Sequence, residues 1–115
     1  MVVESLPQNV SGTVPTASSA VSGFLVAIQI DAEWELENIV VDPGKRRRGF
    51  AKQLLEVLVA TARSTNSESV FLEVRESNLA ARSLYERAGF ELTGHRKSYY
   101  ANPQEDAVLY RLRLT

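Results

Sequence analysis

Leu36–Lys52 reads LENIVVDPGKRRRGFAK. The β-branched run Ile39-Val40-Val41 favours a strand, and Asp42-Pro43-Gly44 ends it, because proline cannot donate to a sheet ladder and glycine accepts turn geometry. A basic loop, Lys45-Arg46-Arg47-Arg48, leads into Gly49-Phe50-Ala51. From there Ala51, Leu54, Leu55, Leu58, Val59 and Ala62 recur at the spacing of one helical face, which predicts an amphipathic helix over Gly49–Arg63. Strand, glycine loop and helix together outline an anion site. Gly49 permits close backbone approach. The helix start offers unpaired N–H groups and the positive end of the dipole. The adjacent cations add attraction at range. The spacing of Gly44 and Gly49 fits neither a P-loop nor a dinucleotide fingerprint. On charge alone the phosphate site and its rival, a solvated basic turn or a short nucleic-acid patch, stand level.

Upstream, Gly23–Asp31 (GFLVAIQID) predicts a buried strand, and Asp31-Ala32-Glu33 a turn into a second, antiparallel strand over Trp34–Val41. Along that second strand the apolar residues change parity: Trp34 and Leu36 are even, Ile39 and Val41 odd. A strand alternates with period 2, so either a β-bulge near Glu37–Asn38 restores the register or the strand's end is buried on both faces. Asp31, Glu33, Glu35, Glu37 and Asp42 make this hairpin acidic, which reads as a polar outer face or as an attractor of positively charged peptide. Residues 1–20 carry a single charge, Glu4, with Pro7 and Pro15 and no helical period. They are expected to form a flexible or irregular arm with one short strand near Met1–Leu6, and residues 21–115 a single domain.

Downstream, Ser69–Val74 alternates, with Val70, Leu72 and Val74 on one face and Phe71 and Glu73 on the other. Asn78 is a suitable N-cap for a helix over Leu79–Ala88, and Gly89 a left-handed stop. Phe90–Leu92 and Lys97–Tyr100 are expected as strand segments around a loop near Gly94, and Ala107–Leu114 as the last strand. The order β-β-α-β-α-β-β implies a mixed, largely antiparallel sheet covered by helices.

Composition narrows the function classes. The 115 residues suit one domain. No Cys is present, which removes disulfides, thiolate zinc sites and cysteine nucleophiles, and the lone His95 cannot build a histidine metal site. A net charge of −1 argues against a nucleic-acid coat, and no aromatic stacking platform accompanies the basic run. No apolar run approaches the roughly 20 residues of a membrane span. Residues 1–22 lack the basic start of a signal peptide, so a cytoplasmic location is expected.

Arg46-Arg47-Arg48-Gly49-Phe50-Ala51 resembles the Gln/Arg-x-x-Gly-x-Gly/Ala signature of the GNAT N-acetyltransferases. Leu36–Pro43, Phe71–Asn78, Ala80–Phe90 and Lys97–Ala107 resemble the RimI-like subgroup, which acetylates the N-terminal amine of a ribosomal protein. The resemblance runs from about Val21 to Leu114. It implies a three-layer α/β acyl-CoA N-acyltransferase fold. This chain departs from it at the N-terminus, where the family places a strand, two helices and a further strand before the hairpin. The expectation is a shortened fold whose exposed sheet a second copy would cover.

The resemblance implies acetyl-CoA as donor, no metal, no membrane or direct nucleic-acid partner, and a protein or peptide N-terminus as acceptor. Ile39, Val40 and Val41 would pair their backbone with the pantetheine arm. Arg46, Arg47, Arg48, Gly49, Phe50, Ala51 and Lys52 would cradle the pyrophosphate, and Asn78 would touch the cofactor. Glu73 would be the general base and Tyr85 the general acid. On pattern alone Glu73 is a polar-face strand residue, Tyr85 a core aromatic, Asn78 a cap and His95 a surface residue. Tyr99 and Tyr100 read as channel lining or sheet aromatics. Competing readings are an acyl-CoA-binding remnant without catalysis and a ribosome- or RNA-binding module working through Lys45–Arg48.

Overall fold

A computed structural model describes residues 2–5, 10–11, 23–42 and 49–115. The strands are β1 (Val2–Ser5), β2 (Val10–Ser11), β3 (Gly23–Ile30), β4 (Glu33–Val41), β5 (Ser69–Arg75), β6 (Glu91–Tyr100) and β7 (Glu105–Arg113); the helices are α1 (Phe50–Ser64) and α2 (Leu79–Arg87). The seven strands form one sheet in the order β2-β1-β3-β4-β5-β7-β6. β4 and β5 run parallel and every other pair is antiparallel, giving the mixed sheet expected. β1 falls where a short N-terminal strand was anticipated, and it pairs with β3.

One cluster holds the core. Leu54, Leu55, Leu58 and Ala62 of α1 and Tyr85 of α2 bury against Leu25 and Ala27 of β3, Trp34 and Leu36 of β4, Val70, Leu72 and Val74 of β5, and Val108 and Tyr110 of β7. Both helices therefore lie on the same face of the sheet, and the described residues make two layers. Val57, rather than Val59, packs beside this cluster at the edge of the helical stripe. On the opposite face Ile28, Ile30 and Val40 are exposed.

The parity change in β4 is a bulge. Val26 pairs with Asn38 but Ala27 pairs with Leu36, so Glu37 is the extra residue. Trp34 and Leu36 before it, and Ile39 and Val41 after it, all face the core, while Val40 is 40% exposed. Burial on both faces is thereby excluded. β6 is one strand rather than two segments around a loop at Gly94. Its ladder with β7 skips Thr93 and shifts again between Arg96 and Tyr100, and bulges absorb the lost alternation without breaking the strand.

Candidate active site

The parallel ladder between β4 and β5 joins Glu33–Leu36 to Ser69–Leu72 and ends there. A bulge bends its strand and raises the local twist, and this one sits immediately past the last parallel pair. Beyond it Asn38–Val41 stays bonded to β3, and Glu73–Arg75 stays bonded to β7. Among the described residues nothing pairs across the opening between them. The β5-facing backbone of Ile39, Val40 and Val41 is thus an unused strand edge, of the kind that accepts an extended ligand by main-chain hydrogen bonds.

The chain passes from β4 to the start of α1 through residues 43–48. Arg46, Arg47 and Arg48, expected in an anion cradle, lie outside the described residues. Gly49 caps α1 with φ 79°, and a Cβ there would meet nothing within 4 Å. Among the described residues nothing closes the space beside Gly49. Among the described residues no side chain caps the helix, its first turn holds no acidic residue, and Gly49 O accepts from Gln53 N at 3.0 Å. Phe50 and Ala51 are half-buried and Lys52 is exposed. An uncapped positive helix end without a competing carboxylate favours a phosphate-type anion. Open edge and open helix start fit an acyl-CoA's arm and pyrophosphate respectively.

Glu73 lies on β5 at the opening, on the face away from the helices because it alternates with core residues Leu72 and Val74. Its Oε1 meets Arg96 Nε at 2.9 Å, and the carboxylate is largely covered, at 17% side-chain exposure. Glu35 shares this face. Its carboxyl is held above the ordinary carboxylate range by burial, and further by the charges of Glu37 and Glu73, against the opposing pull of Arg96. Glu35 and Glu73 thus set two carboxylates on this face near the end of the β4–β5 ladder, with Arg96 as counter-charge, while Glu33 is neutralised by an ion pair with Arg111 and a hydrogen bond from Ser69.

Tyr85 approaches from the helical face. Asn78 Oδ1 accepts from Ala81 N at 3.2 Å and starts α2 as the N-cap expected, so its amide oxygen is committed to the helix. The helix ends in a Schellman motif, with Phe90 N donating to Tyr85 O at 3.0 Å and Gly89 N to Glu86 O at 3.1 Å, around Gly89 at φ 97°. The apolar contact of that motif is the Tyr85–Phe90 ring pair, with centroids 5.8 Å apart. Tyr110 also packs on this ring, with centroids 6.2 Å apart, and is held by its own bonds to Glu86 and from Arg82. The Tyr85 hydroxyl is pushed up to about 12, mainly by burial and then by Tyr100. It is a protonated donor throughout the physiological range.

Burial raises the Tyr100 hydroxyl above the usual phenol range first, and the Glu73 charge next. The Tyr100 ring thus belongs with the β5 face that carries Glu73, through Arg75 two residues further along the same face, while Tyr85 packs on the helical face of the sheet. Arg75 stacks over that ring at 4.4 Å and Tyr99 meets it edge-on at 5.2 Å. Sequence reasoning missed Arg75, Arg96 and Glu105, because no local period marks residues brought together by cross-strand register. His95 is exposed on β6. Among the described residues no group of three or more His, Cys, Asp or Glu could hold a metal ion, and no helix is long and apolar enough to cross a membrane.

Comparison with known proteins agrees with this geometry. The family model for the acetyltransferase (GNAT) family matches residues 12–90. The ribosomal protein bS18-alanine N-acetyltransferase of Salmonella typhimurium strain LT2 is 37% identical over 102 residues, covering 87% of this chain and 69% of that protein. The crystal structure of the ribosomal-protein-S18-alanine N-acetyltransferase from Escherichia coli superposes with a TM-score of 0.79 at 34% identity, over 87% of this chain and 66% of that one. Ard1 from Thermoplasma volcanium gives a TM-score of 0.76 at 30% identity, over 87% of this chain and 68% of its own. The chain thus spans about two thirds of the length of these relatives. With the family model matching most of the chain and a relative 37% identical over 87% of it, the chain belongs to the GNAT family of N-acetyltransferases, whose acetyl donor is acetyl-CoA.

Proposed function

We propose that the chain acetylates the N-terminal α-amine of a protein, with the N-terminal alanine of a ribosomal protein as acceptor, by direct attack in a ternary complex in the cytoplasm. The observation that carries this reading is the opening of β4 from β5 at the Glu37 bulge, flanked by a covered carboxylate on one face and a buried phenol on the other. The names of the bS18-alanine and S18-alanine acetyltransferases support the acceptor.

Acetyl-CoA supplies an activated acyl group. The backbone edge of Ile39, Val40 and Val41 binds its extended arm, and the segment Arg46, Arg47, Arg48, Gly49, Phe50, Ala51 and Lys52 holds its pyrophosphate. Asn78 contributes from the start of α2. An amine attacks only when uncharged, and Glu73 takes its proton directly or through a water. An α-amine of pKa about 7.7–8.0 yields that proton far more readily than a lysine near 10.4, which suits a carboxylate base. Tyr85 directs its hydroxyl proton to the departing sulfur. Residual negative charge from Glu35, Glu37 and Glu73 draws the cationic peptide end.

The test incubates the purified chain with acetyl-CoA and two peptides. One has a free N-terminal alanine; the other is blocked at its N-terminus and carries a lysine. Mass spectrometry showing acetyl only on the free alanine amine is the expected result. Acetylation of lysine alone, or saturable acetyl-CoA binding without transfer to either peptide, overturns it.

A further inference from the structure

Arg75 ends β5, two residues past Glu73, and makes more directed contacts than a solvated strand-end cation needs. Its Nη1 donates to Pro103 O at 3.2 Å and to Glu105 Oε1 at 3.3 Å, and its Nη2 donates to Ala101 O at 3.3 Å. Its guanidinium plane covers the Tyr100 ring at 4.4 Å. One side chain therefore grips both ends of the β6–β7 turn and the last aromatic before it. An arginine fork does this and a lysine cannot, because the task needs planar, multiply directed donors and a face for stacking.

The grip continues into the start of α2. The second oxygen of Glu105 accepts from Ser77 N at 2.6 Å, and Glu76 N donates to Asp106 O at 3.1 Å. Asp106 Oδ1 accepts from Ser98 N at 2.8 Å, fixing β6 where its register shifts. Glu105 is held below the ordinary carboxylate range, chiefly by its bonds from Ser77 and then by Arg75, so it stays ionised in this network. Ser77 immediately precedes Asn78, the cap of the helix that carries Tyr85. Arg75 and Glu105 thus join the turn beyond Tyr100 to the element that positions Tyr85.

We propose that Arg75 is a positioning residue for the acceptor: through Glu105, the 101–104 turn and the stacked face of Tyr100, it holds the Tyr100 ring against the β5 face that Arg75 shares with Glu73, where the incoming peptide end must pass. The proposal rests on the peptide-acceptor reading above. It assigns Arg75 no contact with acetyl-CoA and no proton transfer, and so separates its effect on the two substrates.

The experiment compares wild type, Arg75→Ala, Arg75→Lys and Tyr100→Phe. Steady-state kinetics with a free N-terminal alanine peptide should show KM for the peptide raised about tenfold in Arg75→Ala, with KM for acetyl-CoA within about twofold of wild type. Arg75→Lys should recover little of the loss although it keeps the charge. It also serves as the second probe should Arg75→Ala fold poorly. Independently of turnover, the Tyr100 ring resonances, identified by their loss in Tyr100→Phe, should move in the NMR spectra of both Arg75 variants. A peptide KM unchanged in both variants of an active enzyme overturns the proposal, as do full rescue by lysine or unmoved Tyr100 resonances. If the wild-type chain transfers nothing to the peptide, the acceptor reading fails, while the resonances still decide whether Arg75 sets the Tyr100 ring.

Discussion

Arg96 Nε lies 2.9 Å from Glu73 Oε1, so the carboxylate read as the base already holds a cation before any acceptor arrives. Arg96 is 56% exposed and also leans over Tyr99 at 5.4 Å. A peptide ammonium must displace or share this guanidinium. With the guanidinium half open to solvent, the pair contributes on the order of 1 kcal/mol or less, so the barrier it raises is small and readable. Arg96→Ala is expected to lower the peptide KM by about two- to fivefold in initial-rate assays. Glu73→Gln, as the control, should lower kcat/KM by about a hundredfold or more with acetyl-CoA affinity kept. A peptide KM unchanged or raised in Arg96→Ala would show that the two cations do not compete.

Tyr85→Phe separates chemistry from packing. The ring contacts to Phe90 and Tyr110 survive the loss of one oxygen, and turnover should fall by about a hundredfold with acetyl-CoA binding intact. The variant also carries a stability signature. With a folded value of about 12 against 10.0 for the free phenol, the unfolded chain ionises first as pH rises. This contribution is therefore fully present below 10.0 and lost as pH climbs toward about 12, a change on the order of 2–3 kcal/mol. Urea unfolding at pH 8 and pH 11 should show wild type losing more stability than Tyr85→Phe. Equal losses would place the phenol in water.

Much of this site was legible because it is written in local patterns. The parity change between Leu36 and Ile39 marked the bulge at Glu37, and the bulge is what opens β4 from β5. Asn78 and Gly89 marked both ends of α2 and so fixed where Tyr85 sits. Cross-strand relationships were not legible. Arg75 and Arg96 both pair with Ala107, from opposite sides of β7, and that row exists only because β7 inserts between β5 and β6. Nothing within a single segment encodes that insertion. The same blindness split β6 at Gly94, where pairing with β7 carries the strand through two irregularities.

Gly23 tests the opened strand from its far side. A Cβ at Gly23 would stand 2.4 Å from Val40 O and 3.0 Å from Val41 Cα, both backbone atoms that cannot rotate away. Gly23→Ala must push β3 and β4 apart at the Gly23–Val41 pair, along the edge proposed to bind the acyl-CoA arm. We expect a loss of about 1–3 kcal/mol in chemical unfolding and an acetyl-CoA Kd weakened about tenfold by titration calorimetry. Gly94→Ala, where a Cβ meets nothing within 4 Å, should change neither. An unchanged Kd in a destabilised Gly23→Ala would remove β4 from the cofactor site.

Glu35 sets stability against function. Burial and the neighbouring charges of Glu37 and Glu73 raise its carboxyl above 4.5, so the folded chain holds that proton more tightly than the unfolded chain. The stability this confers is present below 4.5 and is lost as pH rises through the higher folded value; at neutral pH the ionised carboxylate strains its surroundings. Glu35→Gln should therefore raise Tm at pH 7 by about 2 °C, with the gain vanishing near pH 4, where wild type is protonated too. The same substitution removes negative potential beside Glu73, so the peptide KM should rise as Tm does, most clearly at low salt where screening is weakest. Calorimetric scans at both pH values and peptide KM at two salt concentrations check the pair of effects. A variant less stable at pH 7, or one whose KM ignores salt, would mean that Glu35 faces solvent and contributes nothing to the field at the opening.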